Sequence, residues 1–214
     1  MSITVITKDG ILRWLRAYAQ VISDNRDQLT ELDAAIGDGD HGANMDRGFR
    51  AVVAKLPSVA SSDIAVILKT TGMTLLSTVG GAAGPLYGTF FLQAAQASAN
   101  KPELTLADWT ACLKAALAGI VNRGKAGLGD KTMLDALIPA VEALESALTT
   151  NLTLLEALQL SAAAAETGMR STIPLVARKG RASYLGERSA GHVDPGATST
   201  YLLIRTAAST LTVD

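Results

Sequence analysis

The stretch Leu32-Asp33-Ala34-Ala35-Ile36-Gly37-Asp38-Gly39-Asp40-His41-Gly42-Ala43-Asn44 concentrates three carboxylates, Asp33, Asp38 and Asp40, among small residues just ahead of a helical pattern. Bare acids so close together would repel one another, so a positive partner is expected among them. An all-oxygen donor set without a Cys or His cluster suits a hard cation such as Mg2+ better than zinc. The helix opening near Gly42 should aim free N–H groups at the same place, which favours phosphate oxygens. Metal and phosphate chemistry are therefore expected together.

Other readings of this loop fit less well. Gly37 to Gly42 matches the G-x-G-x-x-G dinucleotide fingerprint, but it follows a helical pattern and puts two acids where a pyrophosphate would lie. A calcium loop starting at Asp38 would need a ligand at Gly42 and a closing acid at Phe49. An Asp-x-Asp phosphatase nucleophile belongs at the end of a strand, and a solvated acidic turn is the plain structural alternative.

Further polar connections follow. Ser77 to Pro85 is a glycine turn that lets backbone approach a ligand, although glycine equally lets helices turn and pack. Gly119 to Lys125 imitates a Walker A loop, but Ala126 replaces the metal-binding hydroxyl and a helix precedes it. Gly124 to Asp135 is a second glycine-rich loop, Arg178 to Ser189 concentrates positive charge, and Gly191 to Gly196 leads into the last helix. The two histidines, His41 and His192, both lie in such connections.

Helices must position these loops. Apolar seams run through Leu12, Leu15, Ala19 and Ile22; Ile64, Leu68, Thr71 and Leu75; Leu106, Trp109, Leu113, Leu117 and Ile120. They continue through Leu134, Leu137, Val141, Leu144 and Leu148; Leu155, Leu158, Ala162, Ala165 and Met169; and Tyr201, Ile204, Ala208 and Leu211. Strand-like alternation is confined to the first few residues. Pro57 should end a helix begun near Gly42, Asp63 and Thr105 should cap helices, and Asn100-Lys101-Pro102 should break the chain. The pattern predicts about eight helices in one all-α domain spanning residues 1–214.

Composition narrows the function classes. With 19 Lys+Arg against 20 Asp+Glu the net charge is -1, giving no electrostatic footprint for nucleic acid or an anionic membrane. Lys69 to Lys101 encloses an uncharged run, but glycines, Pro85 and hydroxyls break it into pieces unsuited to crossing a bilayer. The single cysteine, Cys112, lies on a helical seam, so a buried inert thiol in a reducing compartment is expected. The opening residues lack the pattern of a signal peptide, and a cytoplasmic protein is expected.

Four strings in order, Gly37 to Met45, Gly72 to Pro85, Gly129 to Met133 and Ala177 to Ser189, followed by Asp194 to Ala197, carry a resemblance over nearly the whole chain. The sequence resembles the nucleotide-binding L subunits of dihydroxyacetone kinases of the type driven by the phosphoenolpyruvate phosphotransferase chain. It is also similar to the C-terminal domain of ATP-dependent dihydroxyacetone kinases. The resemblance implies a barrel of eight antiparallel helices with the nucleotide at one end. It implies Asp33, Asp38 and Asp40 as ligands of two Mg2+ ions, and His41, Gly42, Ala43, Asn44, Ala82 and Ala83 as nucleotide contacts. Gly124 and Met133 would lie against the nucleoside, while Arg181 and Asp194, Pro195 and Gly196 would close the site. Ala83 stands where members commonly carry Ser, which removes a hydroxyl and leaves the backbone N–H.

Function follows from the same resemblance. ADP would be a resident cofactor, phosphorylated in place by a phosphohistidine-carrying subunit; the resulting ATP would phosphorylate dihydroxyacetone held on a separate K subunit. No catalytic nucleophile is then required on this chain, because metal ions and N–H donors can position and neutralise a phosphoryl group in transfer. A transcriptional regulator is a further partner that the resemblance leaves open. The competing readings are an ATP-dependent kinase subunit that exchanges ADP freely, and a nucleotide-loaded regulatory module that transfers nothing.

Overall fold

Residues 4–212 are described by the structure, a computed structural model; the residues 1–3 that contribute to the expected alternation lie outside it. In chain order the helices are α1 (Lys8–Asp24), α2 (Arg26–Ile36), α3 (His41–Val59), α4 (Ile64–Thr78), α5 (Ala83–Ala97), α6 (Leu106–Gly124), α7 (Leu134–Thr149), α8 (Leu154–Ser171) and α9 (Pro195–Thr210). A 3-10 segment, Arg181–Ser189, bridges α8 and α9. Among the described residues there is no strand; Ile6 makes one isolated antiparallel bridge to Leu104. No helix among them is long and apolar enough to cross a membrane.

Side-chain caps set many of the starts. Thr7, Asp63, Thr105, Thr153 and Asp194 each accept a hydrogen bond from a first-turn N–H, and Thr105 with Asp108 and Thr153 with Glu156 form reciprocal capping boxes. The break expected at Asn100 is present, with that residue left-handed at φ 63°. Pro57 does not end α3, which runs on to Val59. The seams of α7 and α8 also shift at their outer ends: Leu148 and Leu155 are exposed, and Leu154 takes the buried position.

Neighbour packing is cyclic. The pairs α3–α4, α4–α5, α5–α6, α6–α7, α7–α8 and α8–α9 are all in contact, and α9 returns through α1 to α3. The cycle has eight members; α2, outside it, packs on α3 and α9. A continuous apolar core fills the interior, with rings from α1, α3, α5 and α6 at its centre. Trp14 meets Trp109 edge-on at 5.3 Å and Tyr18 meets Phe49 at 4.6 Å. The polar tips of α1 rings reach α9: Trp14 Nε1 donates to the Leu203 carbonyl at 3.1 Å and the Tyr18 hydroxyl to that of Ser199 at 2.9 Å. Helices α4 and α5 approach closely at Gly72 and Gly88; a Cβ on Gly72 would stand 2.8 Å from the Gly88 carbonyl oxygen. Side chains there would push the pair apart.

Cys112 sits in this core on α6, and burial pushes its thiol pKa up to about 12. Thiolate is the reactive form, so native protein at pH 8 should resist a disulfide reagent, with labelling of one thiol per chain appearing only in denaturant. Rapid labelling of the folded chain would place Cys112 outside the core.

Candidate functional site

The turn between α2 and α3 is built around Asp33. One of its oxygens, Oδ2, accepts from the N–H groups of Asp40 at 2.8 Å and His41 at 3.1 Å, so an acid in the last turn of α2 caps the start of α3. A Cβ on Gly37 would run into the Asp33 carboxylate, and Gly39 adopts φ 70°, which L side chains rarely do. Ligand oxygens of Asp33, Asp38 and Asp40 thereby come within 4.8 Å of one another, with Asp33 the most enclosed. The positive partner anticipated for these acids is in part Arg181, whose Nε lies 3.1 Å from Asp38 Oδ2. An all-oxygen trio with Asp40 unpaired fits a hard divalent cation.

At the start of α3, Asp33 takes the N–H groups of Asp40 and His41, and Gly42 packs against Arg26 and Thr30 of α2, so fewer donors of that helix are open to a phosphate. Further N–H groups at the same cavity belong to the start of α5, where Ala82 is the N-cap and no side chain caps the helix. Asn44 faces this turn; its Oδ1 accepts from Arg47, which also holds the Thr78 carbonyl.

A cavity of about 690 Å³ joins these parts. Asp33, Asp38, Asp40, His41, Asn44, Ala82 and Ala83 line it on one side, with Gly124, Met133, Arg181, Asp194, Pro195 and Gly196 on the other. Gly42 and Ala43 are not among its lining residues. Arg123, Lys131, Arg178 and Lys179 also line it, giving the second wall a cationic character. The Walker-like string is not a loop, because Gly119 to Gly124 completes α6. His192 is exposed and contributes its carbonyl rather than its ring.

His41 is turned inward. Its Nε2 lies 2.9 Å from Ser199 Oγ, which shares a hydrogen bond of 2.8 Å with the Tyr87 hydroxyl. Burial pulls the imidazole pKa down, while Asp33 and Asp40 pull it back up. Ser199 and Tyr87 lie outside the strings that drew attention in the sequence. Asp135, the last residue of the second glycine-rich loop, has a role the sequence did not show: its carboxylate accepts from Gly129 N at 2.6 Å and Thr132 N at 2.7 Å, folding the loop ahead of α7. Its position just inside a helix start, next to glycines, was the available signal.

Fold and site together define an all-helical class in which helix ends gather acids, glycines and arginines around one cavity. The chain belongs to the DAK2 domain family, whose model matches residues 35–209. It is 50% identical over 200 residues to an Escherichia coli protein named PEP-dependent dihydroxyacetone kinase, ADP-binding subunit DhaL, covering 94% of this chain and 95% of that one. A Lactococcus lactis protein named PTS-dependent dihydroxyacetone kinase, ADP-binding subunit DhaL, is 40% identical over 204 residues, covering 94% and 97%. Among solved structures, the dihydroxyacetone kinase from C. freundii in complex with AMP-PNP and Mg2+ superposes with a TM-score of 0.70 at 29% identity. That match covers 94% of this chain and 33% of the other.

Asp194 offers a pH test. Burial raises its carboxyl pKa from 3.8 to about 7; the Ala197 N–H and Lys131 oppose the rise, and Asp135 and Asp33 add to it. The folded chain thus holds this proton more tightly than the unfolded one, so the contribution to stability is full below pH 3.8 and lost as pH climbs through about 7. Asp194→Asn keeps an acceptor for Ala197 N–H and removes the titration. In metal-free protein the variant should gain on the wild type by up to about 1.4 kcal/mol per pH unit across that window. Parallel denaturation curves from pH 4 to 8 would refute the assignment.

Proposed function

We propose that the chain, as a single domain over residues 1–214, is the ADP-binding subunit of a phosphoenolpyruvate-dependent dihydroxyacetone kinase. The observation that carries this reading is one cavity lined by both a carboxylate trio and an uncapped helix start, in a chain matched along nearly its full length by relatives bearing that name. Phosphoryl groups would pass from a phosphohistidine-carrying subunit to bound ADP and then, as ATP, to dihydroxyacetone held on a separate K subunit, giving dihydroxyacetone phosphate. A transcriptional regulator as an additional partner rests on the sequence resemblance alone. The lone buried thiol of Cys112 accords with a cytoplasmic setting.

Asp33, Asp38 and Asp40 are the residues that would hold Mg2+, two ions in this reading, which when bound neutralises phosphate charge. The N–H groups at Ala82 and Ala83 point the positive end of α5 at the phosphates and need no reorganisation during transfer. Arg181 adds an exposed positive charge from the 3-10 segment. Gly124 and Met133 bound the nucleoside end, and the backbone from Asp194 to Gly196 shapes the opposite side. In this reading none of these groups is needed to bind the sugar, and another chain would present the acceptor.

Two measurements follow. Denaturing the purified protein should release about one ADP per chain if the nucleotide is resident, and Asp38→Ala or Asp40→Ala should lower that yield at least tenfold after EDTA dialysis. Full occupancy in either variant would sink the metal assignment. Separately, the chain with ATP, Mg2+ and dihydroxyacetone should form no dihydroxyacetone phosphate in a coupled dehydrogenase assay until the K subunit is added; turnover by the chain alone would favour a free-standing kinase.

A further inference from the structure

Lys131 carries a charge for which the phosphate site has no evident use. It is 1% exposed, its backbone is left-handed at φ 61°, and it forms no ion pair among the described residues. Its Nζ donates instead to three main-chain carbonyls: Thr172 at 2.6 Å, Ile173 at 3.5 Å, and His192. An ammonium has three protons and no acceptor, so these carbonyls match its needs in full. A buried charge is tolerated only when satisfied in this way.

The two sides of that contact are the two sides of the cavity's second wall. Lys131 belongs to the loop from Lys125 to Met133, while the carbonyls belong to the connection between α8 and α9, just after Ser171 and just before Asp194. Asp194 N donates to Thr172 Oγ1 at 3.0 Å, so holding Thr172 also holds the start of α9. Arg178 N donates to the Asp130 carbonyl at 3.1 Å, tying the same loops once more beside the arginine-rich segment. A Cβ added to Gly196 would stand 3.5 Å from Met133 N, so the two segments approach closely there. Displacing Lys131 would therefore let Met133 and the Asp194 to Gly196 backbone separate.

We infer that Lys131 is a positioning residue for the nucleotide, its ammonium acting as a tethered monovalent cation that joins the two loops through the carbonyls of Thr172, Ile173 and His192. The inference rests on the nucleotide reading above. It has a chemical corollary: without the side chain, the three carbonyl oxygens form a cage of the type that accepts potassium or ammonium. Glycine is the replacement that suits φ 61°, so Lys131→Gly empties the cage without straining the loop. Lys131→Met fills it with an uncharged chain of similar length.

The test is ADP binding by the full chain at fixed Mg2+, measured by calorimetry in choline, potassium and ammonium chloride at equal ionic strength. Wild type should bind equally in all three. Lys131→Gly should weaken at least tenfold in choline and recover most of that loss in potassium or ammonium, whereas Lys131→Met should weaken and stay weak. Unchanged binding by Lys131→Gly in choline overturns the inference, as does an equal loss in every salt or failure to fold in every salt. If the wild type itself binds no ADP, the nucleotide reading fails. The melting temperature of Lys131→Gly then decides the tether alone: a rise with potassium or ammonium absent from the wild type supports it, and no rise overturns it.

Discussion

One carboxylate oxygen organises the acidic end of the molecule. Asp33 Oδ2 closes the turn between α2 and α3 by taking the N–H groups of Asp40 and His41, so the last turn of one helix and the first turn of the next share a single acceptor. A charge at a helix start is worth about 0.3–1 kcal/mol when exposed and up to about 2 when partly buried. That modest energy has large geometric consequences. Helix α2 buries only Leu29 and Ile36, so its position depends heavily on this joint and on its contacts with α3 and α9. Gly37 is required because the carboxylate occupies the space of its Cβ. With one Asp33 oxygen in the cap, Asp38 and Asp40 stand beside it as the more exposed members of the trio.

The same turn is anchored to the core through His41. The imidazole, Ser199 and Tyr87 belong to α3, α9 and α5, and their hydrogen bonds hold three helix starts at one level. Tyr87 also bonds Thr200 at 3.0 Å, and Tyr18 reaches the Ser199 carbonyl, so a polar string continues into an otherwise apolar interior. Such a network is favourable only when every member is satisfied, and no buried side-chain polar atom among the described residues lacks a partner. The acids of the mouth are thus coupled to the packing of the cycle rather than carried on a free loop.

Much of the fold was legible because period and burial coincide. Leu15, Leu68, Leu113, Leu137, Leu158 and Ile204, one from each seam, are buried, and each lies in a helix. Helix α2 escaped the count for the converse reason: with two buried residues it has no seam to read. Pro57 misled because it removes a single N–H donor only two residues before the helix stops, a cost that α3 tolerates. For the site, the glycine and acid strings were informative since each falls at a helix end on the same side of the cycle. Pairings over long separations were not: Arg181 with Asp38, His41 with Ser199, and Lys131 with Thr172 depend on how the helices close, and no local pattern encodes them.

The charge layout of the cavity sets carboxylates and cations in different states of engagement. Acids line one side and Arg123, Lys131, Arg178, Lys179 and Arg181 the other, yet among the described residues the single ion pair across them is Asp38 with Arg181. The Arg181 side chain in that pair is 68% exposed, and exposed pairs contribute about 0–1 kcal/mol. Asp38 therefore gives up little in exchanging Arg181 for a bound cation, and Arg181 gives up little in turning to an anion. Lys131 is the opposite case, a cation locked onto carbonyls and unable to move without opening the wall behind it. The exposed cation at the mouth thus sits in a weak pair, while the buried one in the wall is held by three carbonyls.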